Sequence, residues 1–281
     1  MLFLGVVFGG IIGISLGLTG GGGAIFAVPM LVYGLGCSPR EAVMISLVAV
    51  GITSLIGFLQ KWKRGEAELR TGALFAVAGM VGSPIGGWLA RQIPESLLMM
   101  LFSILMLSIA GVMWRRARRA AEGTQVCIPR DPASAPQSYR SDGPGCQRDT
   151  EGNLILTSRC ARLLLLVGVF AGILSGMFGV GGGFLIVPAL VVFSRMSMLR
   201  AVGTSLMVIA IVSFSGVFVQ VSAGQLIPWQ LTLAFVAGGL TGLWGGRLIG
   251  QGLSTALLQK VFSVAILGVG LFVLVSSMVS G

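Results

Sequence analysis

The chain has 281 residues, of which 55% are hydrophobic and only 10% are charged, and its mean hydropathy is +0.96. These values exclude a water-soluble globular protein. Apolar runs of about 18 residues or more recur along the chain, so we predict an all-α polytopic membrane protein that lies in a lipid bilayer. The net charge of +10 comes from basic residues that cluster in loops, which indicates membrane topology and no nucleic-acid partner.

Reactive side chains are scarce in this composition. The chain contains no histidine, and its four cysteines include no CxxC pair, so the usual zinc and haem ligands and the usual base for a hydroxyl nucleophile are missing. All nine acidic residues fall in loops or at the ends of apolar segments, which excludes an intramembrane carboxylate relay. We therefore expect no cofactor, no bound metal and no enzyme activity.

Two of the apolar segments are too short to cross a membrane. Residues 24–35 and 184–194 each cover less than about 20 Å at ~1.5 Å per residue, against a hydrocarbon core of about 30 Å. Both follow a glycine cluster, so we predict glycine-broken re-entrant segments or half-helices. In chain order, the apolar segments are 2–18, 24–35, 42–60, 71–90 and 96–114, then, after a polar linker, 161–178, 184–194, 201–221, 229–249 and 255–278.

The two halves of the sequence are an internal duplication. A shift of 159 positions aligns residues 13–57 with 172–216 without a gap, and 18 of the 45 pairs are identical. Matched glycines, prolines and serines at one shift do not arise easily from shared apolar composition. We expect this register to continue to the end of the following helices. The pairs it gives include Gly20/Gly179, Pro29/Pro188, Ser46/Ser205, Gly65/Gly224, Gly79/Gly238, Gly86/Gly245 and Gly87/Gly246.

Loop charges predict how the halves are oriented. Loop 60–70 contains four basic residues, whereas its counterpart at 220–229 contains none. Under the positive-inside rule, equivalent loops then lie on opposite faces, which is an inverted-topology repeat with both termini outside. The alternative has four crossings per half, parallel repeats and both termini inside.

We divide the chain into three parts. Residues 1–114 form the first transmembrane repeat and 161–281 the second. The linker at 115–160 is rich in Pro, Gly, Ser and charge, so we expect it to be flexible. Nine arginines between Arg115 and Arg162 place it in the cytoplasm under the positive-inside rule.

The glycine clusters are the predicted substrate site. A broken helix in a repeated membrane protein places unpaired backbone N–H groups and a partial positive charge at a central position, and donors without acceptors suit an oxyanion. Hydroxyls one to two turns into the following helices could face the glycines. The competing interpretation is that the glycines only allow close helix packing. The predicted substrate-binding residues are Gly20, Gly21, Gly22, Gly23, Ser46, Gly179, Gly181, Gly182, Gly183, Thr204 and Ser205, and the predicted structural or hinge residues are Pro29, Pro188, Gly86, Gly87, Gly245 and Gly246.

These motifs resemble the TauE/SafE sulfite exporter family. The resemblance rests on the pattern Gly-x-x-x-Gly-x-x-Gly-x-Gly-Gly followed by Val-Pro, which begins at Gly13 and again at Gly172, and on the Ala-Val-x-x-Ser that follows at Ala42 and Ala201. It covers both halves and omits only the linker. The resemblance implies an inner-membrane carrier of small sulfur-containing anions such as sulfite or sulfonates.

We therefore predict a secondary transporter of the bacterial inner membrane, an exporter or permease that moves sulfite, sulfonates or thiosulfate by alternating access. Its expected partners are a small anionic substrate and the lipid bilayer. The alternatives are a glycine-packed membrane scaffold without transport activity and, much less favoured, an intramembrane enzyme. The sequence leaves open the particular anion, the direction, the coupling ion and whether the protein forms a homo-oligomer.

Overall fold

The computed structural model describes residues 2–19, 22–122, 147–148, 154–155, 158–179, 186–187, 190, 196, 198–250, 264 and 267–273. Long α-helices dominate these residues, and their bounds agree with the predicted apolar segments to within a few positions. The helices are α1 (Leu2–Thr19), α2 (Pro39–Trp62), α3 (Leu69–Gln92), α4 (Glu95–Glu122), α5 (Ser158–Phe178), α6 (Met198–Ser222) and α7 (Trp229–Gly250).

Several helices have the length and surface of membrane spans. Within the described residues, four helical stretches are long and apolar enough to cross a bilayer, and shorter apolar stretches lie in α1, α4 and residues 23–34. Large apolar side chains such as Trp88, Leu166 and Phe218 are more than half exposed, as expected for side chains that face lipid. The prediction of an all-α polytopic membrane protein is confirmed. The four stretches are Pro39–Trp62, Leu69–Gln92, Ala161–Phe178 and Arg200–Ser222.

Helix α2 begins at a capping box. Ser38 Oγ accepts the backbone N–H of Glu41, and the Glu41 carboxylate accepts the backbone N–H of Ser38 at 3.1 Å, so two donors that the helix itself cannot satisfy are paired. Pro39 occupies the first helical position, where its missing N–H costs nothing. The sequence therefore sets the start of α2 locally.

A short helical segment returns along α1 after the first glycine cluster. This return segment comprises a 3₁₀ turn at Gly22–Phe26, an α turn at Ala27–Pro29 and a π turn at Met30–Gly34. Gly23 packs against Ser15 and Leu16, whereas Gly34 packs against Phe8, so the segment runs antiparallel to α1. Its length of about 20 Å is short of a full crossing, in agreement with the predicted glycine-broken half-helix.

The first helix of each half packs against the last described long helix of the other half. A methyl group added to Gly13 of α1 would collide with the backbone of Gly239 in α7, and one added to Gly172 of α5 would collide with the backbone of Gly79 in α3. Such approaches require glycine because any larger side chain would separate the two backbones. The two halves are therefore interlocked by reciprocal, glycine-dependent contacts.

Contacts along the helices give their relative directions. In the α1–α7 pair, positions with rising numbers in one helix meet positions with rising numbers in the other, so the helices are parallel, and the same holds for α5 with α3. The α2–α6 pair is antiparallel, because Gly57 approaches Leu206 whereas Gly51 approaches Ser213. Thr53 of α2 meets Gly239, which makes α2 parallel to α7. Helices α1, α2 and α7 thus run one way and α3, α5 and α6 run the other, each helix opposite to its repeat counterpart.

The turns after α2 and α6 keep the predicted register. Gly65 and Gly224 both have positive φ, 70° and 81°, and each ends the same turn, in which the next residue's N–H donates back to Lys61 or to Gln220. Glycine tolerates this left-handed conformation at no steric cost. At this point the shift between the halves is still 159 positions.

Beyond these turns the predicted register is wrong by one residue. The carbonyl of Phe75 faces Gly168 as that of Phe235 faces Gly9, and Gly86 lies against Ile173 as Gly246 lies against Ile14. The counterparts are therefore 160 positions apart, which makes them Gly79/Gly239 and Gly86/Gly246. The physical reason is an extra residue in the second half: the first turns of α3 and α7 already match at this shift, through Gly72 to Glu68 and Thr232 to Pro228.

The predicted linker lies mostly outside the described residues. Helix α4 continues to Glu122, beyond the predicted end of the first repeat at residue 114, and α5 begins at Ser158. Between them, Gln147–Arg148 and Leu154–Ile155 pair as a two-stranded antiparallel ladder. The flexibility and cytoplasmic location of residues 115–160 stay predictions.

Candidate functional site

The glycine motif of the second half begins where α5 ends. Gly179 has φ +68°, and its N–H donates to the carbonyl of Ser175 at 2.9 Å, which closes the last turn of the helix. A side chain here would collide with the backbone of Val43 in α2. Glycine is thus required at this position both by its backbone conformation and by a close approach to the other half.

Ser46 connects α2 to this motif. Its buried hydroxyl donates a 2.6 Å hydrogen bond to the carbonyl oxygen of Gly179. The prediction that Ser46 faces a glycine cluster agrees with this contact, and the cluster belongs to the opposite half. Because the N–H and the carbonyl of Gly179 both have partners, its backbone helps to position the neighbouring glycines.

The first glycine motif is described from Gly22 onward. Gly22 begins the 3₁₀ turn, and Gly23 is buried with its α-carbon against Ser15. Gly20 and Gly21 lie outside the described residues. The described part of this motif forms the tight reversal between α1 and the return segment.

Most of the second motif also lies outside the described residues. This applies to Gly181, Gly182 and Gly183 and to the predicted hinge residue Pro188. Ile186 and Val187, between the glycines and that proline, are helical and buried. Substrate binding by these glycines stays a prediction.

Thr204 and Ser205 lie one turn into α6, and both are buried. The backbone N–H of Glu68 donates to Thr204 Oγ1 at 2.9 Å, so this hydroxyl anchors the residue that precedes α3. Ser205 Oγ donates to the carbonyl of Val202 in its own helix at 2.8 Å. Thr204 therefore has a structural partner between elements of the two halves, and Ser205 is the repeat counterpart of Ser46.

The predicted hinge residues differ in their surroundings. Pro29 is buried within the return segment and precedes its π turn, as expected for a residue that lacks a backbone donor. Gly86 and Gly246 each abut the backbone of a neighbouring helix, whereas Gly245 has nothing within 4 Å of an added side-chain atom. Gly87 makes only ordinary contacts, with Val219 at 3.6 Å. Close packing is thus a property of Gly86 and Gly246.

The sequence interpretation missed a set of buried hydroxyls that lack hydrogen-bond partners within the described residues. Ser54 and Ser213 are repeat counterparts in α2 and α6, and Ser213 lies at the point where these helices cross. Ser83 lies between α3 and α6, beside Gly216, and Ser175 lies one turn before Gly179. Buried hydroxyls normally find partners, so these four indicate where a polar ligand or water would be stabilised. Their only sequence signal was the Ser54/Ser213 match at the repeat shift.

Acidic side chains are kept out of the interior of the described helices. Glu41, Glu66, Glu68 and Glu95 all lie at helix ends or in turns. The described interior therefore presents hydroxyls and backbone dipoles without a competing carboxylate, and such surroundings favour an anion over a cation.

Comparison with known proteins agrees with this architecture. Residues 5–273 match the family model "Sulfite exporter TauE/SafE". The chain is 32% identical over 270 residues to a "Probable membrane transporter protein" of Xylella fastidiosa, covering 95% of this chain and 92% of the relative. It is 26% identical over 276 residues to the "Probable membrane transporter protein YunE" of Bacillus subtilis, covering 94% of each. No solved structure matches.

The family match spans nearly the whole chain, including both glycine motifs and every long helix described above. The relatives cover the chain equally broadly, so the likeness is not confined to one half. The chain therefore belongs to the TauE/SafE sulfite exporter family of membrane transporters.

Proposed function

We propose that this membrane transporter moves small sulfur-containing oxyanions, such as sulfite, sulfonates or thiosulfate, across the bacterial inner membrane by alternating access. The family name supports the class of substrate. In this proposal the protein works as a carrier without enzymatic chemistry, and the anion lies where the two glycine motifs approach the partner half.

The observation that supports this proposal best is the packing of two oppositely directed groups of helices. Helices α1, α2 and α7 form one group and α3, α5 and α6 the other, and each glycine-broken first helix contacts the other half. Two similar groups with a site between them can exchange packing partners at low cost, because either arrangement repeats the contacts of the other. This property is the basis of alternating access in repeat transporters.

The proposed substrate contacts are backbone N–H groups and hydroxyls. Helix termini and glycine turns present N–H donors at close range, which suits the oxygens of sulfite or a sulfonate. Ser46 positions the second motif through Gly179, and Ser205 is its counterpart for the first. Residues 20–23 and 179–183, with Ser46, Thr204 and Ser205, are the proposed binding region.

We place the turn after α2 in the cytoplasm and the turn after α6 outside. The first contains Lys61, Lys63 and Arg64, whereas the second has no charged residue. Opposite helix directions for counterpart helices agree with this placement, which is the inverted-topology arrangement. The linker is then cytoplasmic and the N-terminal end of α1 lies outside.

The test is anion flux in proteoliposomes that contain the purified protein. Uptake of radiolabelled sulfite, thiosulfate and isethionate is measured with and without a preloaded anion, since a carrier shows accelerated exchange. The double variant Gly22→Leu, Gly182→Leu should insert normally and lose flux, because the leucines would cover the backbone donors. Gly245→Leu, at an open position, is the matched control. Normal flux in the double variant would contradict the proposed site.

The scaffold alternative has one observation in its favour. Gly13, Gly79, Gly172 and Gly239 serve close helix packing, as a scaffold would require. A scaffold predicts no flux of any of the three anions in proteoliposomes while the protein remains folded and monodisperse. The same measurement therefore separates the two functions.

A further inference from the structure

An open cleft lies at the end of the molecule where α2 begins and where α3, α5 and α6 end. Its polar lining consists of Arg40, Arg91, Gln220 and Gln225. The four side chains come from both halves of the protein and from opposite ends of the sequence. Apolar contacts from Val43, Gly87 and Met177 complete the wall.

Gln220 is the most informative residue of the cleft. Only 5% of it is exposed, and its Oε1 has no hydrogen-bond partner within the described residues. A buried amide without a partner is costly, since each polar atom has given up its contact with water. Its position on the cleft wall indicates that a bound polar group belongs beside it.

Arg91 provides the uncompensated positive charge. Its Nε donates to the carbonyl of Gly87 at 3.2 Å, which fixes the side chain against its own helix. Arg40 forms an exposed ion pair with Glu95 at 3.4 Å, and Glu41 is held in the capping box with Ser38. No described carboxylate lies within 4 Å of Arg91, so the rest of its planar guanidinium is available to an anion.

The repeat counterpart of this cleft is differently built. Lys61 and Glu66 stand where the second half has Gln220 and Gln225, and they form an ion pair at 2.9 Å. The counterpart of Arg40 is Leu199. At that end the positive charge is neutralised by its neighbour, so the two ends of the molecule are unequal for an anion even though the folds are related.

The cleft adjoins the second glycine motif. Val43 lines the cleft, and its backbone is also the surface against which Gly179 packs. Met177, two residues before Gly179, lies on the same wall. An anion in the cleft would therefore be one residue layer away from the proposed binding region.

We infer that Arg91, with Gln220 and Arg40, forms an anion-selecting site at this one mouth of the transporter. A small oxyanion binds the free edge of the Arg91 guanidinium, contacts the Gln220 amide, and competes with Glu95 for Arg40. This site rests on the proposed function for its role in transport, but its ability to bind an oxyanion is independent of flux. Under the topology proposed above, the mouth faces the outside.

The experiment measures both flux and binding for the same variants. Flux of radiolabelled sulfite into proteoliposomes gives the apparent KM at the mouth that faces the added anion, and thermal unfolding in detergent with and without sulfite reports binding. Arg91→Gln should raise the apparent KM about tenfold with an unchanged maximal rate, because a charge-assisted contact is lost. Gln220→Leu should raise it in the same direction, and Arg91→Lys should restore part of the effect. Arg64→Gln removes the same charge from an exposed turn at the other end and should leave the KM unchanged.

The outcomes separate this inference from the proposed function. If the wild-type protein transports sulfite and Arg91→Gln has the same KM, the mouth site is wrong and the transport proposal stands. If no anion is transported but sulfite stabilises the wild-type and Arg64→Gln proteins and not Arg91→Gln, the site stands and the transport proposal fails. Absence of both flux and stabilisation would overturn both.

Discussion

The hydroxyl of Ser46 donates a 2.6 Å hydrogen bond to the carbonyl oxygen of Gly179, and so joins the second helix of one half to the glycine motif of the other. Gly179 is held at the same time by its left-handed conformation and by the backbone of Val43. The position of the second motif is therefore determined by contacts with the first half, which is the coupling that a rocking mechanism requires.

Replacing Ser46 with alanine should weaken this connection. Hydrogen bonds between membrane helices contribute about 0.6 kcal/mol on average and up to about 1.7, and we expect a loss near 1 kcal/mol because the bond is short and buried. The measurement is unfolding by SDS titration in mild detergent, together with sulfite flux. Ser103→Ala is the control, since the Ser103 hydroxyl is buried but bonds to Met99 in its own helix. Equal losses in both variants would show that the link between halves contributes nothing extra.

The corrected repeat register predicts which glycines tolerate a methyl group. Gly86→Ala and Gly246→Ala each place a methyl against the carbonyl of a neighbouring helix, at Ile173 and Ile14, and each should cost about 1–3 kcal/mol through overpacking. Gly245→Ala should be tolerated because nothing lies within 4 Å.

Gly87→Ala completes this comparison, because its added methyl would meet only Val219 at an ordinary distance of 3.6 Å. Unfolding of all four variants by the same SDS titration is the measurement. Sensitive Gly87 and Gly245 with a tolerant Gly246 would return the register to 159 positions.

The helices and the repeat could be predicted from sequence because their signals are local. Apolar length gives the spans, and Ser38, Pro39 and Glu41 give the start of α2 without reference to any other helix. The one-residue error arose because the Gly-Gly pairs at 86–87 and 245–246 match at either shift in part. Only the contacts of Gly86 and Gly246 with neighbouring helices distinguish the two alignments.

The site was harder to predict because its contacts join distant parts of the chain. Ser46 was assigned to a glycine motif, but its partner lies 133 positions away in the other half. Thr204 was expected to face the glycines, whereas it accepts a bond from the backbone of Glu68. Arg91 and Gln220 lie on different helices, and no spacing rule brings them to one cleft.

Cysteine labelling should distinguish inverted from parallel repeats. Arg64 and Ala223 are counterpart positions in equivalent, exposed turns. In a background where the native cysteines are replaced by serine, Ala223→Cys should react with a membrane-impermeant maleimide added to intact cells, and Arg64→Cys should react only after the membrane is opened. Labelling of both positions from the same side would contradict the inverted arrangement.

Cys37 offers a test of local electrostatics at the start of α2. Burial, and secondly the nearby Glu41 carboxylate, raise the pKa of the Cys37 thiol, so less of the reactive thiolate is present at neutral pH than for an exposed cysteine. In a variant with Cys37 as the sole cysteine, the maleimide rate should rise about tenfold per pH unit and level off only above the raised pKa, since the reaction follows the thiolate fraction. Glu41→Gln should move this profile to lower pH while keeping the capping box, because glutamine also accepts the N-cap donor. Burial remains in that variant, so the shift should be partial. Glu95→Gln removes a carboxylate that does not act on the thiol and should leave the profile unchanged; an equal shift in both variants would mean that general surface charge, and not Glu41, raises the pKa.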